Sequence, residues 1–129
     1  MQKIVRILNE IPFLNVRDAS EGLPTYVGHG SYSSDCNVLL DVTETIKFME
    51  FHLEVMAKFE DATGITLKAS QQVYFTSTGY GNCWRLGFFT EGESWGQTFD
   101  KVLSARRELE KILKFYVIRH EVEWNDKEY

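Results

Sequence analysis

From Phe99 to Val117 the apolar residues Phe99, Val102, Leu103, Leu109, Ile112, Leu113, Tyr116 and Val117 recur at helical spacing. Advancing roughly 100° per residue, they form one stripe along a helix. Ser94 and Gln97 supply a capping pair just ahead of it, so the pattern predicts a helix over about 95–117. The tail from Ile118 to Trp124 alternates like an edge strand and also fits an extension of that helix.

A second helical pattern covers about 43–63. Asp41 and Glu44 make an N-cap with a capping-box partner, and Gly64 stands where a helix C′ residue belongs. Between them Ile46, Phe48, Met49, Phe51, Leu53, Val55, Met56 and Phe59 occupy most of the helical wheel. Lys47, Glu50, Glu54, Lys58 and Asp61 leave only a narrow polar stripe, expected to face solvent. Such a helix needs cover on several sides, from a sheet, a second helix or another copy of the chain through the 43–63 helix.

Elsewhere the signals are shorter. Ile4, Val5, Leu8 and Ile11 fit a helix stopped by Pro12, with a strand as the alternative, and Phe13–Val16 reads as extended. Residues 17–36, rich in Gly, Ser, Asp and Pro, have no sustained period and read as a long functional or mobile loop. Val38-Leu39-Leu40 is a short buried strand. Val73–Thr76 and Cys83–Thr90 flank the turn residues Gly79-Tyr80-Gly81-Asn82, which predicts a β-hairpin over about 72–90. The fold class is therefore α+β: a small antiparallel sheet, dominated by that hairpin, with both main helices on one face.

The chain has 129 residues, the size of a single domain, and 43% of them are hydrophobic, enough for a packed core. A net charge of −5 disfavours phosphate-dominated nucleic-acid binding and favours a protein partner with a basic surface. Two cysteines give no disulfide framework, and no apolar run reaches membrane-spanning length. A reducing, cytoplasmic setting is expected.

Three polar residues interrupt apolar arcs: Arg106 on the last helix, His52 and Glu60 on the central one. A guanidinium buried without a partner is destabilising, so Arg106 calls for a carboxylate, with Glu60 the leading candidate, or for a bound anion. His52 reads as a core histidine with a satisfied ring. His29, Tyr32, Asp35 and Cys36 lie close together in the 17–36 segment, where a base near a thiol would define a small enzyme. Their spacing matches no catalytic pattern, and three histidines without ligand spacing define no metal site and no cofactor. Tyr80 at the hairpin tip, with Trp84 and Arg85 behind it, resembles an aromatic–arginine anchor for a partner. Lys101, Arg107, Lys111 and Lys114 read as a solvated helix face.

The expected function is non-enzymatic binding by protein contacts. The class is an immunity-type inhibitor, or a virus- or mobile-element-borne anti-defence protein, that blocks a nucleic-acid-handling partner. The alternatives are a small-anion binder built on Arg106 and an enzyme built on His29, Asp35 and Cys36.

Overall fold

The computed structural model describes residues 1–126, without the side chains of Tyr74, Thr76, Tyr80, Asn82 and Asp126. The elements run α1 (Gln2–Asn9), β1 (Leu14–Glu21), β2 (Thr25–Gly28), β3 (Ser31–Val42), α2 (Thr45–Thr63), β4 (Lys68–Thr76), β5 (Gly79–Gly92) and α3 (Trp95–Asp126). The fold is α+β, with the three helices packed on one antiparallel sheet of order β1-β3-β5-β4. β1 and β2 follow one another along the same edge of β3, which pairs with β1 through Cys36–Val42 and with β2 through Ser31–Ser33.

Residues 17–36 are thus not one long loop: all but 22–24 and the 29–30 turn are strand. Their inward positions are occupied by Ala19, Ser34 and Cys36, too small or too polar to register as apolar alternation. Ser34 and Thr90 face each other across β3 and β5, both buried, with their hydroxyl oxygens 2.5 Å apart. Each satisfies the other, which is how two polar side chains sit at strand core positions without cost. Gly22 breaks the edge between β1 and β2. Its φ of +77° and the approach of Cys36 admit no side chain there, because a Cβ would stand 2.8 Å from Cys36 Cβ.

α2 starts at Thr45, after β3 has run on to Val42, so Asp41 is a strand residue and caps nothing. Glu44 is the N-cap, in extended conformation and without a side-chain cap bond. The C-terminal expectation holds: Gly64 takes the left-handed conformation and its N–H donates to the Glu60 carbonyl at 2.8 Å. At α3 the Gln97 N–H donates to Ser94 Oγ at 3.0 Å, and Gln97 Oε1 accepts from the Glu93 N–H at 2.7 Å. This reciprocal cap fixes the helix start as expected.

α3 then continues to Asp126, so the tail Ile118–Trp124 is helix and not strand. Tyr116, His120 and Trp124 fall one turn apart and stack, with ring centroids at 4.3 Å and 6.1 Å. That i, i+4 ladder, absent from an extended chain, favours helix over strand.

The core is a single cluster between sheet and helices, with Phe48, Phe51, Val55 and Phe59 of α2 among its most buried members. Phe48 meets Trp84 and Phe59 meets Phe88, both at about 5 Å between ring centroids. The polar stripe of α2 does not simply face solvent. Lys47, Glu54 and Lys58 are half-buried; Glu54 pairs with Arg119 of α3, and Lys58 lies 4.4 Å above the Phe115 ring. Ile46, Met49 and Leu53 take the exposed side instead.

Candidate binding surfaces

With all three helices on one face, the other face of the sheet is uncovered. The register sets its rows: Asp18, Leu39, Arg85 and Ser70 lie side by side, and Ser20, Asn37, Gly87 and Lys68 form the next row. Gly87 has no room for a side chain, since a Cβ would meet Asn37 Cβ at 2.5 Å. The result is an open hollow of about 290 Å³ lined by Asp35, Lys68, Ser70, Arg85, Gly87 and Phe89. Arg85 is half-buried there, and its Nε is enclosed with no hydrogen-bond acceptor among the described residues. Phe89 is exposed on the same face. Trp84 points to the opposite side, into the core against Phe48, so Trp84 and Arg85 do not act on one surface. The hairpin turns at Ser77-Thr78, so Gly79-Tyr80-Gly81-Asn82 are the first residues of β5 and not the turn. Tyr80 pairs with Phe75 through the backbone, and its side chain lies outside the described residues.

Arg106 is half-buried and lines an open pocket of about 540 Å³ between α1 and α3, with Lys3, Glu21, Leu103, Arg107 and Glu110. Glu60 is exposed on α2, and among the described residues no carboxylate lies within ion-pair distance of Arg106. The expected pair with Glu60 is absent because α1, not α2, flanks this side of α3. Glu110 is engaged by Lys114 at 3.0 Å, which holds its carboxyl below the usual range.

His52 is half-buried, its Nε2 2.8 Å from the Leu67 carbonyl and its ring against Phe48, a structural arrangement linking α2 to the start of β4. His29 occupies the tight β2–β3 turn with a φ of +53° and is exposed. Tyr32 stacks edge-on against Tyr26 at 5.3 Å, and the Tyr26 hydroxyl accepts from the Gly30 N–H. Strand alternation sends Cys36 into the core and Asp35 to the opposite face. Burial pushes the Cys36 thiol up to about 11, although Arg106 pulls it the other way. A buried, protonated thiol with no adjacent base is not a nucleophile, so the three residues do not assemble.

One polar cluster escaped the sequence. In the groove between α2 and α3, His120 Nδ1 is 3.3 Å from Glu123 Oε2 and Nε2 is 3.6 Å from Glu54 Oε2. Tyr116 closes the site, its hydroxyl pushed up to about 12 by burial and by Glu54. An i, i+4 reading carried past Val117 would have aligned Tyr116, His120 and Trp124. The carboxylate of Glu54 comes from another helix and left no trace in the local pattern.

Among the described residues no helix is long and apolar enough to cross a membrane, and no group of three or more His, Cys, Asp or Glu could hold a metal ion. Comparison with protein-family models, with curated proteins and with solved structures gives no match.

Proposed function

We propose that this chain is a non-enzymatic binding protein that works by protein contacts on the uncovered face of its sheet. The observation that carries the reading is Arg85, whose enclosed Nε has no acceptor. A buried donor left unpaired is destabilising by roughly 1–3 kcal/mol, a cost that a partner's carbonyl or carboxylate would remove. Arginine and aromatic residues dominate interface hot spots, and Phe89 lies beside Arg85 in the same hollow. Asp18, Asp35, Asp41 and Glu91 occupy outward positions around it, Asp41 paired with Arg17, with Lys68 as the cation beside Arg85 in the hollow. With the net charge of −5, that rim favours a basic partner and accelerates its encounter. Covering the nucleic-acid-binding face of such a partner is inhibition of the immunity or anti-defence kind.

The test compares partner capture from the native host by the wild-type chain and by Arg85→Ala/Phe89→Ala, each checked for folding by circular dichroism. A stoichiometric basic protein held by the wild type and lost by the double variant is the expected result. Equal capture by both overturns the reading.

A second reading rests on Arg106. Its guanidinium shares a pocket with Lys3 and Arg107 as well as Glu21 and Glu110, and among the described residues meets no carboxylate at ion-pair distance, which leaves its donors open to a small oxyanion. Native mass spectrometry distinguishes the two, since a retained small anion lost in Arg106→Ala belongs to this reading alone.

A further inference from the structure

The two edges of the sheet differ in a way that bears on assembly. The β1–β2 edge is broken repeatedly: a register shift between Val16 and Asp18, the Gly22 bend, Pro24, and the charges of Arg17, Asp18 and Glu21. These are the devices by which natural sheets blunt an edge against further pairing. β4 lacks the shift, the bend and the proline. Its register with β5 runs unbroken from Lys68↔Gly87 to Thr76↔Gly79, it contains no proline, and Lys68 is its single charge. A regular, nearly uncharged edge is a template for another strand.

The far end of this edge also runs beyond the reach of β3. β3 pairs with β5 only as far as Leu40↔Trp84, so residues 73–82 project as a two-stranded arm. An isolated two-stranded ribbon is marginal in water, whereas three strands with an apolar face are not. On this arm Phe75 is 84% exposed and Val73 60% exposed. Both fall on the helix-bearing side of the sheet, in register with Ala69, which packs against the core. On α2, one exposed stripe of Ile46, Met49 and Leu53 has no cover. The bond from His52 to the Leu67 carbonyl places α2 beside the start of β4, so both apolar surfaces belong to the same flank.

We propose that β4 pairs antiparallel with β4 of a second copy of this chain, joining two sheets into one across a dyad at Gln72. A dyad relating antiparallel strands stands perpendicular to the sheet, so both helical layers lie on the same side and their α2 stripes face each other. Gln72 is the midpoint of the nine-residue strand, so this register uses its whole length. Lys68 then stands opposite the partner's Thr76 and far from the other Lys68, which removes like-charge repulsion. Phe75 stands opposite the partner's Ala69, a small residue that leaves room for the ring beside the partner's α2. Five large apolar side chains (Ile46, Met49, Leu53, Val73 and Phe75) enter the interface from each copy. With the strand edge, they form the kind of surface from which a stable interface of about 800 Å² per partner is assembled.

Sedimentation equilibrium on the full chain tests this, and the expected species has twice the mass of one chain. Val73→Lys/Phe75→Lys, altered only at exposed positions, should raise the dimer dissociation constant by at least about tenfold with an unchanged circular dichroism spectrum. Leu53→Glu, on a different element, should weaken the dimer independently. Because Cys83 stands opposite Gln72 on β5 of the same chain, the cross-link is made in a Cys83→Ala background. There Gln72→Cys should cross-link to itself under mild oxidation, since opposed antiparallel residues have Cα atoms about 4.5–5.5 Å apart. Lys68→Cys should not. A monomeric wild type at its highest soluble concentration overturns the proposal, as does a dimer indifferent to Val73→Lys/Phe75→Lys. Cross-linking through Lys68→Cys in preference to Gln72→Cys overturns the register.

Discussion

Arg119 of α3 reaches across to the carboxylate of Glu54 on α2, so the charged stripe of the central helix faces its neighbouring helix. His120 and Glu123 extend the contact into a small network. Arg119 is half exposed, and exposed ion pairs are weak because solvent screens them and ordering long side chains costs entropy. A double-mutant cycle on Glu54→Ala and Arg119→Ala should give a coupling of about 0.5–1 kcal/mol that shrinks in high salt. Zero coupling in low salt would mean that the contact contributes nothing to helix pairing.

Arg106→Ala should cost less than about 1 kcal/mol, because no carboxylate is stranded when the guanidinium goes and only its aliphatic stem loses packing. Urea denaturation measures it. A loss near 3 kcal/mol would show that Arg106 holds an acid in solution.

Stability should fall at alkaline pH through Cys36 and Tyr116. Burial raises the thiol from 9.0 to about 11, so the folded state holds its proton where the unfolded state has released it. The contribution is complete below pH 9 and is lost as pH rises through about 11, amounting to roughly 2–3 kcal/mol. Tyr116, raised from 10.0 to about 12, continues the decline above pH 10. Urea midpoints from pH 8 to 11 should drop more steeply for the wild type than for Cys36→Ala, and parallel profiles would contradict the assignment.

Gly22 and Gly30 both have positive φ but differ in their surroundings. At Gly30 a Cβ meets nothing within 4 Å, so Gly30→Ala should cost about 1 kcal/mol for backbone strain alone. At Gly22 the Cβ meets Cys36 Cβ at 2.8 Å and Val102 at 3.2 Å, and the backbone cannot easily yield. Gly22→Ala should cost about 2–3 kcal/mol, strain and overpacking together. Thermal unfolding of the two variants gives the comparison, and equal losses would mean that the β1–β2 edge relaxes around the added methyl.

The elements whose physics is local can be read from the chain alone. The start of α3 was written in Ser94 and Gln97, the end of α2 in Gly64, and the β4–β5 hairpin in its β-forming flanks, although its turn falls at Ser77-Thr78 and not at Gly79–Asn82. Each depends on backbone groups within a few residues, so no distant contact was needed to decide it. The burial of Phe48, Phe51 and Phe59 was also legible, because large rings at helical spacing have only one favourable destination.

Tertiary structure alone decided the rest. β1, β2 and β3 are strands because neighbouring strands satisfy their backbones, although Ala19, Ser34 and Cys36 gave no apolar signal. Only the sheet pairing shows that Ser34 and Thr90 satisfy each other, or that Asp35 and Cys36 point to opposite faces. The polar stripe of α2 looked like its solvent face until α3 brought Arg119 to Glu54 and Phe115 beneath Lys58. Arg106 lacks the Glu60 carboxylate for the same reason, since helical periodicity does not say which element flanks a given side of a helix. Arg85 emerged as the leading candidate because the helices all chose the other face, leaving its buried nitrogen without an acceptor.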